Sequence, residues 1–482
     1  MLIVDDFTRP AGLSSRRTSK RNINNKSVDA YVSKRRYGNN YIDSDDEEEL
    51  DELVPELNMY SPITKRNIIA VAKKETVKKL TPWQTYTSLI KGFIGTLILY
   101  IPNTMMIGGW LFNTIFFVPC TILTVLCSQQ TLMARDALNA QSFSEIGFKL
   151  WGKPGRYLCD FVICASQIGI VMSYVYFIIQ NCKVVVCQST GVVVDKWWWC
   201  LMCIIIFTLL AWVRKQELFA KTHTFGVLML IITVCVIMGY GGKEVKVSGW
   251  QLENYPMITW SFTDAIGFSI TAFEGVPLII PVYDITDNKE LYPKIVTYVV
   301  LTCAVLFAVF GFFCVAAFDR DSLSSPLITD ALPPDHKPNV IIWAIKILFI
   351  LNLITSQPLQ LTPIHQLIEN YIYAGWPKTK KRQWSKNFTR FLMVCFVCVF
   401  TTILDSSINK FLAVNGAISA TPVATLLPAV FHLKTSATTR AWVIVDWVII
   451  IVSALIVVLC GFNSIKNWND DTAPPDLCKY HY

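Results

Sequence analysis

From about residue 87 to about residue 462 the chain is a succession of apolar stretches separated by short polar loops. A bilayer crossing needs about 20 apolar residues. In hydrocarbon every backbone donor and acceptor must be satisfied inside the fold, which makes helices the expected element. About eleven spans are expected, near 87–109, 110–134, 157–182, 197–213, 222–242, 258–283, 293–318, 340–373, 388–405, 408–433 and 440–462. The eighth is long enough to tilt or to extend past the bilayer.

Hydrophobic residues make up 53% of the 482 and charged residues 16%, more apolar surface than a soluble protein of that length could hide. The expected organisation is a disordered cytosolic tail (1–80), a transmembrane domain (81–465) and a short non-cytosolic C-terminal tail (466–482). The net charge of +8 makes no case for nucleic acid, because many basic residues sit in the tail or in short loops, as membrane topology requires. Most of the 15 cysteines fall in apolar stretches and read as small buried hydrophobes. Cys200/Cys203 and Cys395/Cys398 have CxxC spacing but no His or acidic neighbours, so neither a metal site nor a redox site is expected. No apolar h-region follows Met1, so the first span is expected to direct insertion.

The tail is basic to residue 42 and then acidic from Asp43 to Leu53, with too little apolar surface to offset chain entropy. Glu49 to Val54 resembles a degenerate acidic-dileucine signal, and Tyr60-Ser61-Pro62-Ile63 fits a tyrosine sorting pattern. Sorting adaptors and kinases are therefore candidate partners; a merely solvating tail is the other reading. With the tail in the cytosol, the loops on its side hold more Lys and Arg (Lys378, Lys380, Lys381, Arg382, Lys386 and Arg390 among them) than the opposite loops. An odd count of spans then puts the C-terminus outside or in a lumen. The sequons at Asn25 and Asn387 fall on the cytosolic side and are expected to be unused.

Two spans carry the wrong residues for a plain anchor. The first reads Lys91-Gly92-Phe93-Ile94-Gly95-Thr96, with Pro102-Asn103 further on. If it unwinds at Ile94-Gly95-Thr96, backbone amides at a half-helix N-terminus suit a carboxylate, Gly95 allows close approach, and Thr96 adds a hydroxyl. The sixth reads Ala272-Phe273-Glu274-Gly275-Val276-Pro277. Glu274 is an ionisable group at membrane depth, where charge is expensive and functional. It could exchange a proton or stabilise an unwound segment. Packing of small residues between helices is the alternative for the first span. Spans one and six are five apart, the offset of equivalent broken helices in two inverted five-helix repeats plus one extra helix.

Elsewhere, the eighth span is polar from Asn352 through Thr355, Gln357 and Gln360 to His365, and the tenth from Asn415 to Pro422. Such oxygens could coordinate sodium, line a polar path, or join helices. His365 and Asp264 read as ordinary residues near interfaces, Lys346 as snorkelling to the far interface, and Lys91 as lying close to the cytosolic interface, where it could gate, pair or anchor.

Together these residues resemble the amino acid/auxin permease family, in its vacuolar and proton-coupled amino acid transporter branch. The likeness runs along about 85–435. Besides the two broken spans it rests on Ser142-Phe143-Ser144-Glu145-Ile146-Gly147, Pro358-Leu359-Gln360-Leu361, and Pro428-Ala429-Val430-Phe431-His432-Leu433. It implies an all-α, eleven-span fold of the LeuT type, with small neutral amino acids bound between spans one and six and moved with protons toward the cytosol. Sodium is the other coupling ion considered. By that likeness, Ile94, Gly95 and Thr96 face Phe273, Glu274 and Gly275 across the substrate, in a vacuolar or lysosomal membrane or the plasma membrane. Leu97 departs from the pattern, standing where the family has a second glycine. A nutrient-sensing receptor signalling through the tail is a second reading. An embedded enzyme ranks last, because His223, His365 and His432 offer no evident partnered site.

Overall fold

The computed structural model describes residues 79–466 and 468, apart from 214–215, 274, 333–338 and 378; the side chains of 216–223 and 406 also lie outside the description. The tail motifs, Asn25, Glu274, Lys378 and the C-terminal segment from 469 therefore fall outside the described residues. The chain divides into two units, Met1–Lys79 and Leu80–Tyr482, and the described helices belong to the second.

Those helices are α1 (Pro82–Ile94), α2 (Ile101–Gly108), α3 (Trp110–Leu138), α4 (Phe143–Thr190), α5 (Lys196–Trp212), α6 (Gln216–Ser248) and α7 (Phe262–Ala272). They continue as α8 (Val276–Ile285), α9 (Tyr292–Ala317), α10 (Val340–Tyr373), α11 (Lys380–Leu404), α12 (Ile408–Asn415), α13 (Leu427–Thr435) and α14 (Arg440–Lys466). Ten segments among the described residues are long and apolar enough to cross a bilayer, α1 with α2, α7 with α8 and α12 with α13 each forming one. The fourth expected span, α5, is apolar but only 17 residues long, so the expected eleven stand as ten plus one shorter helix.

Helix ends follow local chemistry. Thr81 caps α1 in a reciprocal box with Gln84, and Pro82 opens the first turn. Ser142 Oγ accepts from the Glu145 amide at 3.1 Å while Glu145 Oε2 accepts from the Gln141 amide at 2.8 Å. That cap starts α4 at Phe143, but the helix kinks at Gly152 (φ 69°, ψ −150°), and the long spanning part follows beyond it, close to the expected 157. Thr379 likewise starts α11 at Lys380 rather than near 388, so Lys380, Lys381 and Arg382 are helical and not loop.

α4 is buried all round from 169 to 179, which puts it at the centre of the bundle. Around the outside, Ile444, Val448, Ile451, Leu455 and Phe462 of α14 and Ile115, Val118 and Ile122 of α3 stand exposed. Apolar faces of that extent call for lipid. Hydrogen-bonded charges staple the helices where they meet. Arg390 of α11 bonds Glu369 of α10 at 2.6 Å and the Ala211 carbonyl of α5 at 2.6 Å. Asp264 of α7 accepts from Lys410 of α12 at 3.0 Å and from Ser464 of α14 at 2.6 Å. Arg135 of α3 meets Asp284 of α8 at 2.7 Å. Ahead of α1, Leu80 bridges to the end of α8, its amide donating to the Ile285 carbonyl at 2.8 Å.

Candidate functional site

The first span breaks at Gly95, whose φ of 48° and ψ of −137° end α1; a 3-10 turn, Leu97–Tyr100, then leads into α2. A β-carbon at Gly95 would come within 2.9 Å of the Tyr174 hydroxyl, so glycine is required for both its backbone and its contact. Polar groups surround this break. Gln360 Nε2 reaches the Gly92 carbonyl and the Tyr174 hydroxyl, each at 3.4 Å. The Thr96 hydroxyl meets Ser173 Oγ at 2.8 Å, and Ser173 donates onward to the Ile170 carbonyl at 2.7 Å, which leaves Thr96 as the donor of that pair. Thr96 is thus fully buried and turned to α4. Ile94 and Leu97 are buried in the apolar core.

The sixth span breaks between Ala272 and Val276. The Phe273 amide gathers the last carbonyls of α7, and the Phe273 carbonyl accepts from the Gly275 amide at 3.0 Å. The Phe273 ring packs edge-on between Phe117, at 5.8 Å, and Phe307, at 5.4 Å. Its side chain is therefore committed to aromatic packing, and what it can offer a solute is backbone. Gly275 lies against the Phe93 ring so closely that any β-carbon would fall on it, and a β-carbon at Gly92 would come within 2.6 Å of Leu278 Cδ1. Through these two pairs the broken spans come together, Phe93 and Gly92 of the first against Gly275 and Leu278 of the sixth. Glu274 completes that segment, outside the described residues.

A small hollow of about 50 Å³ lies between α2, α7 and α12, lined by Asn103, Thr104, Asp264, Phe268 and Lys410. A wider crevice of about 340 Å³ lies between α4, α8 and α10, lined by Glu145, Arg156, Pro277, Pro281, Pro363 and Asn370. The loop after α9 covers the α2 end, where Asn103 donates to the Leu323 carbonyl at 2.8 Å. The tenth span follows a wide π-helical path through Gly416–Ala420 and Pro422–Leu426. A β-carbon at Gly416 would strike the Gly267 carbonyl of α7, so this loosened stretch packs directly on the sixth span.

Several expectations are corrected. Lys346 does not snorkel: it is 1% exposed and faces Asp330 at 3.8 Å. Lys91 is 5% exposed, inside the bundle and not at an interface. Asp264 is not ordinary but the centre of a buried pair. His365 is buried with no partner for Nε2 among the described residues. His432 does have a partner: Asp446 Oδ2 lies 2.8 Å from Nδ1, and Gln130 donates to Oδ1 of the same carboxylate at 2.7 Å. Tyr174 and Ser173, which flank the first break, were missed. Their only sequence signal is polarity inside an otherwise apolar third span.

Residues 78–466 match the family model described as transmembrane amino acid transporter protein. The chain is 23% identical over 401 residues to vacuolar amino acid transporter 3 of Saccharomyces cerevisiae, covering 79% of this chain and 56% of that protein. It is 22% identical over 371 residues to amino acid transporter ANT1 of Arabidopsis thaliana, covering 73% of this chain and 84% of that one. The chain thus spans little more than half the length of the yeast relative. A solved structure of a Na+-coupled sialic acid symporter, in a substrate-bound outward-open state, aligns with a TM-score of 0.51 at 12% identity over 83% of this chain and 94% of that chain. At that identity the likeness concerns the fold, which is all-helical and of the LeuT type. By the extent of the family match, the chain belongs to the transmembrane amino acid transporter family.

Proposed function

We propose that this protein is a secondary active transporter that moves small neutral amino acids toward the cytosol by alternating access, with the proton as its coupling ion. The observation that carries the reading is that two broken helices pack on one another deep in the bundle, Phe93 of the first against Gly275 of the sixth and Gly92 against Leu278. Backbone groups freed there are tolerable only where protein or a bound solute satisfies them. On this reading Ile94, Gly95 and Thr96 offer amides to the substrate carboxylate, and Phe273, Glu274 and Gly275 offer carbonyls to its amine. The names of the relatives, vacuolar and plant amino acid transporters, support the substrate class and favour the vacuolar membrane. The tail is cytosolic and is the place for sorting adaptors or kinases. A family of transporters gives the embedded-enzyme reading no support.

The test is uptake of radiolabelled amino acids into proteoliposomes, with a proton gradient and without sodium. Accumulation above equilibrium, with the preferred amino acid identified by competition, is expected. Flux that needs sodium instead would reassign the coupling ion, and absence of any amino acid flux would end the reading.

A further inference from the structure

Among the described residues, the buried cations of the fold differ in their company. Arg390 meets Glu369, and Lys346 faces Asp330. Lys91 meets no carboxylate. Its ammonium donates to Thr355 Oγ1 at 3.1 Å, and that hydroxyl gives its own proton to the Asn352 carbonyl at 2.8 Å, which leaves a lone pair for the lysine. The Asn352 side-chain oxygen is buried with no hydrogen-bond partner. A β-carbon at Gly226 of α6 would fall on both that oxygen and the Lys91 ammonium, so the glycine keeps room for them. A single positive charge is therefore enclosed by neutral oxygens where α1, α6 and α10 meet, one helical turn before Gly95.

The helices packed on α1 are α6, α8, α9 and α10, and they turn Thr224, Leu278, Thr302 and Thr355 to it. The titratable side chains described on those helices include Tyr283, Asp284, Tyr292, Lys346, His365 and Glu369; among the described residues none of them is hydrogen-bonded or ion-paired with Lys91. Glu274, Lys221 and His223 lie outside the described side chains. A charge at membrane depth without a counter-charge is expensive and by default functional. A lysine, unlike an arginine, can shed that charge by giving up its proton.

We propose that Lys91 carries the coupling proton, its ammonium held among the Thr355 and Asn352 oxygens. This rests on the transporter reading above. Nζ takes a proton from water on the acidic side and returns it to water on the cytosolic side; only the N–H bond forms and breaks. Charged, the amine ties α1 to α10 at Thr355. Neutral, it loosens that tie one turn from the substrate break, which links the two sites.

The experiment compares wild type, Lys91→Met and Lys91→Arg in proteoliposomes. Exchange of labelled for unlabelled amino acid at equal pH is measured beside accumulation driven by a proton gradient. Lys91→Met and Lys91→Arg are expected to keep exchange and lose accumulation. Accumulation persisting in either Lys91 variant overturns the assignment; so does loss of exchange in both, which would make Lys91 a positioning residue only. A second readout needs no transport. On acidification in weakly buffered detergent, wild type should take up about one more proton per chain than Lys91→Met. Equal uptake overturns the assignment, whereas a wild type that takes up the extra proton yet exchanges no amino acid sinks the transporter reading alone.

Discussion

The two breaks are built from opposite materials. The one in the first span is cased in hydrogen bonds, with Gln360, Tyr174, Ser173 and Thr96 around it. The one in the sixth span is cased in rings, with Phe273 between Phe117 and Phe307 and Phe93 against Gly275. The difference teaches which part of each can change. A polar casing can trade one hydrogen bond for another as a solute arrives, whereas a packed aromatic casing resists small displacements because interiors are close-packed. The first break is thus suited to respond to a ligand, and the sixth to hold its place.

The largest test of that contrast sets two glycines side by side. Gly275→Ala drives a methyl group into the Phe93 ring, an overpacking that costs about 1–3 kcal/mol. The double variant Phe93→Leu/Gly275→Ala should recover much of the loss of thermal stability in detergent. Gly95→Ala costs a similar amount through its backbone, about 1–3 kcal/mol. Tyr174→Phe should not rescue it, since the strain lies in φ and not only in the neighbour. Equal rescue at both sites would dissolve the distinction.

A smaller effect is expected for Tyr174→Phe alone. It removes the hydroxyl that Gln360 reaches, for a loss of about 1 kcal/mol. The apparent affinity for substrate should move more than the melting temperature does. A variant that melts lower with unchanged affinity would make Tyr174 a packing residue.

The smallest effect concerns the cover over the first break, where Asp330 lies in the loop between α9 and α10. Burial raises its carboxyl above the ordinary carboxylate range, outweighing the opposing pull of Lys346 and of the Ser325 hydroxyl. The folded protein therefore binds that proton more tightly than the unfolded chain does. Its contribution to stability is full below the ordinary carboxylate value and is lost as pH rises through the raised one. Asp330→Asn, which cannot ionise, should flatten that part of the melting-temperature profile. An unchanged profile would separate the loop from any pH response.

Much of the fold was legible because bilayer physics acts on composition along a line. Runs of apolar residues placed the spans, and glycine with a nearby proline placed both breaks at Gly95 and Gly275 within a residue or two. One boundary moved where a single capping side chain decided it, as Thr379 did for α11, while Ser142 caps a helical stretch that ends at the Gly152 kink, ahead of the expected span. The site was legible in its backbone but not in its casing, since the polarity of Ser173 and Tyr174 in the third span does not say which break they face.

By itself, then, the sequence determined a helical membrane bundle and the two places where its helices come apart, because burial in hydrocarbon penalises every residue that interrupts a helix. Only the tertiary structure decided which polar groups meet. Hydropathy sets how deep Lys91, Lys346 and His432 lie, but it carries no information on which neighbour each one faces. Lys91 finds Thr355 264 residues away, and Asp446 is shared by His432 and by Gln130, 316 residues before it. Contacts over such separations arise from packing alone, and packing left Lys91, among the described residues, a buried cation beside neutral oxygens.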